Sequence, residues 1–184
     1  MLFRSKRPER FTGGAPRAEG DGPPLARGMA ARAVTVVAAP DAAWRPALNG
    51  RVLAIFPRLS SLADRITIEP EMQDEARYLR EGMAPHGVRP EVAVVGVEPT
   101  AEEIAGAREA AAAADATVLF LYDAHLYKSN RALLEACQAS ARKLAVVLMR
   151  DPWDAEYLAP GVAALTAYGW RRCQLDAAMA HLLS

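Results

Sequence analysis

The chain has 184 residues, of which 52% are hydrophobic and 24% are charged, and its formal net charge is zero. This length and composition predict one globular domain with a substantial core. The neutral balance gives no electrostatic reason to expect nucleic acid or an anionic membrane as a partner. No apolar run is long enough to span a bilayer, and the basic N-terminus lacks the apolar core of a signal peptide, so we expect a cytoplasmic protein.

The first 24 residues differ in composition from the rest of the chain. Two stretches, 12–16 and 19–24, are rich in glycine and proline and poor in apolar side chains. Such a segment buries little apolar surface. We therefore predict a flexible segment or linker over residues 1–24 and one domain over residues 25–184.

Helical and extended patterns alternate along that domain. In chain order, the patterns predict a helix over 25–33, a strand over 34–37, a turn at 49–50, a strand over 51–56, a helix over 71–84, a strand over 91–96, a helix over 100–114, a strand over 116–122, a helix over 130–142, strands over 143–149 and 161–167, and a helix over 173–183. Thr100 and Glu103 have the spacing of a capping box. Strands that are apolar on both faces and separated by helices indicate a buried parallel sheet. The predicted fold is α/β, with a doubly wound, mainly parallel, flavodoxin-like sheet and helices on both faces.

Polar and aromatic residues follow three of the predicted strands, where ligands bind in open α/β sheets. The candidates for contact with a ligand or another domain are Asp123, His125, Arg150, Asp151, Trp153, Asp154, Tyr168 and Trp170. A mixture of aromatic faces, carboxylates and a guanidinium group is typical of carbohydrate-binding surfaces. These residues indicate a polar, aromatic rim at one end of the sheet.

Structural roles are an alternative explanation for the same residues. Arg150 and Asp154 could pair with each other, with Asp151 capping a helix that starts at Pro152. Asp123 and His125 have the chemistry of an acid and a base, but they are common residues on one loop. Tyr168 and Trp170 could turn the chain and pack on the core.

The sequence contains no motif that indicates a cofactor or a metal. There is no glycine-rich phosphate loop and no nucleophile elbow, and His86, His125 and His181 lack ligand spacing. Cys137 and Cys173 do not form a Cys-x-x-Cys pair, and we predict two free, buried or half-buried thiols. We therefore predict neither a cofactor nor a metal site.

Several segments, in this order, resemble one family. They are 30–37, 114–120, 122–125, the segment 144–154 that contains Leu148-Met-Arg-Asp-Pro-Trp-Asp154, and 167–170 with its Tyr-Gly-Trp corner. They are similar to the C-terminal domain of bacterial family-three glycoside hydrolases of the β-N-acetylglucosaminidase-like branch. Residues 127–130 depart from that pattern. In that branch the nucleophile and the acid/base pair lie on an N-terminal (β/α)8 barrel, so the resemblance assigns no catalytic residue here.

The resemblance implies an accessory domain that packs on a glycoside hydrolase barrel, is inactive alone and contributes to binding a sugar. An alternative is a non-catalytic module that binds another small ligand or a protein on the same scaffold. A third hypothesis is a small enzyme that uses Asp123, His125 and Arg150. It requires these side chains to converge, with His125 within hydrogen-bond reach of a carboxylate.

Overall fold

The computed structural model describes residues 22–38 and 50–183. Its helices and strands are, in chain order, α1 (Gly22–Ala33), β1 (Thr35–Ala38), β2 (Val52–Pro57), α2 (Glu75–Met83), β3 (Glu91–Val95), α3 (Ala101–Ala113), β4 (Ala116–Leu121), α4 (Lys128–Ser140), β5 (Leu144–Leu148), β6 (Ala163–Thr166) and α5 (Arg172–Leu183). Short 3-10 helices occupy Leu59–Leu62, Pro70–Met72, Ala84–His86 and Pro152–Tyr157.

The six strands form one sheet in the order β1-β6-β5-β4-β2-β3. Strands β2 to β6 are parallel to one another, and β1 pairs with β6 in the antiparallel direction. After β2, the chain adds β3 on one side of β2 and then adds β4, β5 and β6 in turn on the other side. The order therefore reverses between β2 and β4, which places the switch point of this doubly wound sheet at their carboxyl ends.

Alternate side chains of each central strand enter two separate cores. Phe56 and Phe120 point to the face covered by α2 and α5, with ring centroids 5.1 Å apart at 62°. Ile55 and Leu119 point to the opposite face, which α3 and α4 cover. Because both faces of these strands are covered by helices, successive side chains are all buried, which explains the continuous apolar sequences.

The predicted α/β class and the mainly parallel, doubly wound sheet are confirmed. The capping box of α3 is also confirmed, because Thr100 accepts the Glu103 N–H and Glu103 accepts the Thr100 N–H. Both cysteines are free thiols, with Cys137 buried and Cys173 half-buried.

The predicted helix over 71–84 is wrong at its start. A 3-10 turn occupies Pro70–Met72, and α2 begins at Glu75 because the Asp74 carboxylate accepts the Arg77 N–H as an N-cap. Helix α1 begins at Gly22, before the predicted start at Leu25. The predicted turn at 49–50 includes a residue outside the described ranges, and the division at residue 24 remains a prediction.

Within residues 22–38 and 50–183, every helix is too short or too polar to cross a lipid bilayer.

Candidate functional site

The loops that follow β4, β5 and β6 meet at one edge of the sheet. Strands β4 and β5 are paired in parallel from Thr117–Leu144 to Leu121–Leu148, and β5 is paired with β6. The residues just beyond these strands are therefore neighbours in space although they are far apart in sequence. We call this region the carboxyl edge; it contains all eight candidate residues.

Arg150 forms an ion pair with Asp123 across the ends of β5 and β4. Its Nη1 donates to Asp123 Oδ2, and the Asp123 side chain is 2% exposed. Burial raises the pKa of Asp123 above its ordinary value, although the hydrogen bond and the charge of Arg150 act in the opposite direction. The predicted alternative, a pair between Arg150 and Asp154, is therefore wrong.

Asp154 instead ties the 3-10 turn after β5 to the loop after β4. Its Oδ2 accepts the Ala124 N–H at 2.9 Å, and its Oδ1 accepts the His125 N–H at 2.7 Å. The same Oδ1 lies 2.8 Å from Nδ1 of the His125 ring. A carboxylate can only accept hydrogen bonds, so this contact places the proton of a neutral imidazole on Nδ1 and leaves Nε2 with a lone pair.

Asp151 caps the same turn, as predicted. Its Oδ1 accepts the Trp153 N–H at 3.0 Å, and Pro152 occupies the first position of the 3-10 helix. Because the turn starts immediately after Arg150 and Asp151, one short segment presents both residues beside the β4 loop.

The two aromatic residues of the 168–170 corner have different surroundings. Trp170 packs against the core, and its ring lies 5.7 Å from the Arg150 guanidinium carbon and 6.3 Å from the Tyr122 ring. Tyr168 is 44% exposed and adopts a left-handed backbone conformation with φ of 56°. The predicted packing role therefore holds for Trp170 only.

Asn130 is a residue of this edge that the sequence analysis did not select. Its side-chain amide is buried and donates to the carbonyls of Tyr122 at 2.6 Å and Val97 at 2.9 Å. It thus joins the ends of β4 and β3 across the switch point. An asparagine in the first turn of a helix that follows a buried strand is the one sequence signal for this role, and it is weak because asparagine is common there.

The edge also brings together three side chains of the types that ligate metals. One ligand atom from each of Asp123, His125 and Asp151 lies within 4.8 Å of the others. The spacing of the histidines and cysteines along the chain predicts no metal site, whereas two of these three side chains are aspartates. The two carboxylates belong to loops after different strands, so their convergence depends on the sheet order.

Solved structures that are similar to this domain include glycoside hydrolases. A family 3 β-N-acetylglucosaminidase from a Paenibacillus species has a TM-score of 0.73 at 21% identity, over 97% of this chain and 33% of that chain. A fungal multi-domain family 3 β-N-acetylglucosaminidase has a TM-score of 0.64 at 15% identity, over 89% of this chain and 18% of that chain. A β-glucosidase from Listeria innocua in complex with glucose has a TM-score of 0.61 at 14% identity, over 88% and 25%.

Neither the protein-family models nor the curated proteins include a match to this sequence. The chain spans about a third or less of the length of the enzymes it matches in structure. The resemblance seen in the sequence is thus confirmed for the fold: the chain has the α/β fold that forms one part of these family 3 glycoside hydrolase structures.

Proposed function

We propose that this domain is an accessory part of a β-N-acetylglucosaminidase-like glycoside hydrolase and packs on a catalytic (β/α)8 barrel. The observation that carries the proposal is the match over 97% of this chain and only 33% of a longer β-N-acetylglucosaminidase. Such a barrel takes about 250 residues. The barrel would therefore belong to another part of a longer protein or to a separate polypeptide, and a cytoplasmic location is part of this proposal.

Exposed apolar side chains support the carboxyl edge as the docking surface. Leu126, Trp153 and Tyr168 follow three neighbouring strands and are 62%, 71% and 44% exposed. We call these three residues the edge patch. The other exposed large apolar side chains of the described residues, Leu25, Met29 and Val36, are aliphatic, whereas two of the three at this edge are aromatic, and aromatic residues are enriched at interaction surfaces.

The ion pair between Arg150 and Asp123 at the same edge would support a polar contact with the barrel or with its sugar. Arg150 keeps 41% of its side chain exposed while Asp123 holds it from below. Nearby, the Trp170 Nε1 is buried and lacks a hydrogen-bond acceptor among the described residues. We assign no catalytic residue to this domain.

One observation favours a second function, a small enzyme. His125 lies within hydrogen-bond reach of a carboxylate, which that hypothesis requires. However, its carboxylate partner, Asp154, also holds two backbone N–H groups, and Asp123 is paired with Arg150. These contacts satisfy the side chains structurally, so accessory function accounts better for the edge.

The test is hydrolysis of a chromogenic β-N-acetylglucosaminide by the purified domain, alone and mixed with glycoside hydrolase barrels from the same source. We expect no turnover alone and activity, or a stable complex, with one barrel. Turnover by the domain alone would support the enzyme, and no effect on any barrel would favour a non-catalytic ligand-binding module.

A pair of variants makes this test specific to the surface. Trp153→Ala removes the most exposed aromatic of the edge patch, and Met29→Ala removes a side chain that is 63% exposed on α1. Because both are exposed, neither should unfold the domain. Docking through the carboxyl edge predicts that only Trp153→Ala weakens the complex; equal affinities for Trp153→Ala and the wild type would refute that surface.

A further inference from the structure

We propose that Asp123, His125 and Asp151 bind one divalent transition-metal ion, with zinc as the best fit. Three ligand atoms of these residues already lie within 4.8 Å of one another, at the ends of β4 and β5. Tetrahedral zinc has bonds of about 2.0–2.2 Å to nitrogen and oxygen, which separates ligand atoms by about 3.3–3.6 Å. The side chains therefore need to close by no more than about 1.5 Å to reach bonding distances.

Each of the three side chains is held through one atom and retains another. Asp123 is held through Oδ2 by Arg150, His125 through Nδ1 by Asp154, and Asp151 through Oδ1 by the Trp153 N–H. A carboxylate has a second oxygen, and an imidazole has a second nitrogen. The hydrogen bonds that fix these residues therefore leave a ligand atom on each of them.

The contact between His125 and Asp154 is the arrangement that accompanies histidine ligands in metal sites. A metal-ligating histidine usually donates its other ring N–H to a carboxylate, which fixes the ring and raises its basicity. Asp154 is well placed for this role because its side chain is 5% exposed and two backbone N–H groups hold it. Because Asp154 holds Nδ1, Nε2 is the nitrogen that this proposal leaves for the metal.

The ligand set distinguishes zinc from the abundant hard cations. Magnesium and calcium prefer sites made of oxygen atoms alone, whereas imidazole favours zinc and related ions. Two carboxylates would balance the dication, while Arg150 adds a nearby positive charge that lowers the affinity. Water, or an acceptor from a bound partner, would occupy the fourth position.

The experiment measures zinc binding to the tag-free, chelator-treated domain by isothermal titration calorimetry in excess magnesium, with metal analysis after dialysis. We expect one zinc per chain. His125→Ala and Asp151→Asn should weaken binding by about 10- to 100-fold or more. Asparagine at 151 is still a good cap, so that variant changes the ligand and preserves the turn.

His86→Ala is the matched control, because His86 lies on the 3-10 turn after α2, away from the carboxyl edge. It should bind zinc like the wild type. The proposal is wrong if the wild type shows no saturable zinc binding, if His125→Ala binds as tightly as the wild type, or if His86→Ala weakens binding as much. These measurements need no catalytic barrel, so their outcome is independent of the accessory function.

Discussion

The carboxylate of Asp154 should stabilise the carboxyl edge more than any other single polar group there. Replacing it with alanine leaves the Ala124 N–H, in a residue with no exposed surface, without an acceptor. A buried donor left unsatisfied costs about 1–3 kcal/mol. The two donors of His125 also lose a charged acceptor, but its side chain is 24% exposed and can turn to water, so they add about 1–2 kcal/mol.

We therefore expect Asp154→Ala to lower the free energy of unfolding by about 2–5 kcal/mol. Urea denaturation followed by far-ultraviolet circular dichroism measures this loss as a lower midpoint at an unchanged slope. Asp151→Ala is the control, because it removes a carboxylate from the same turn that caps one exposed N–H and should cost only about 1 kcal/mol. If the two variants lose equal stability, the three hydrogen bonds of Asp154 do not hold the edge together.

Three further predictions test other parts of the domain. Burial raises the pKa of Asp123 above its ordinary 3.8. In urea titrations at several pH values, the wild type should therefore lose stability relative to Asp123→Asn as the pH rises from about 3.8 through the raised pKa. A wild type that gains stability relative to this variant over that range would contradict the sign. Burial also raises the pKa of Cys137 to about 12. A thiol reagent should therefore label Cys173 before Cys137 in the folded protein, as mass spectrometry would show. Equal rates of labelling would contradict the protection of Cys137. Thr100→Ala should lower the free energy of unfolding by about 1 kcal/mol in urea through loss of the α3 cap, whereas Thr100→Ser should retain it.

The sequence predicted the sheet well because its signals are local. The central strands are continuous runs of branched and aromatic side chains bounded by turn residues, as in residues 116–122, and burial on both faces makes such runs necessary. The start of α3 was also predictable, since a capping box lies within four residues. At the start of α2, the pattern of spaced apolar residues continues upstream through Met72, so apolar spacing alone does not reveal that the cap lies at Asp74.

The pairing of the site residues could not be predicted in the same way. A pair between Arg150 and Asp154, four residues apart, was one alternative, but Arg150 pairs with Asp123 because β4 and β5 are neighbours in the sheet. Likewise, His125 and Asp154 belong to loops after different strands. Such contacts depend on strand order and register, which a single sequence with no repeated pattern does not specify.

The antiparallel pairing of β1 with β6 joins the two ends of the domain. The first strand of the described chain lies at the far side of the sheet from β2, and α1 packs against α5, the last helix. During synthesis, α1 and β1 leave the ribosome before the other described elements of the domain, but they have no partner to dock on until β6 and α5 have followed. We therefore expect α1 and β1 to join the domain last in folding. In a chain that stops before β6, α1 and β1 would have no strand or helix to pack on.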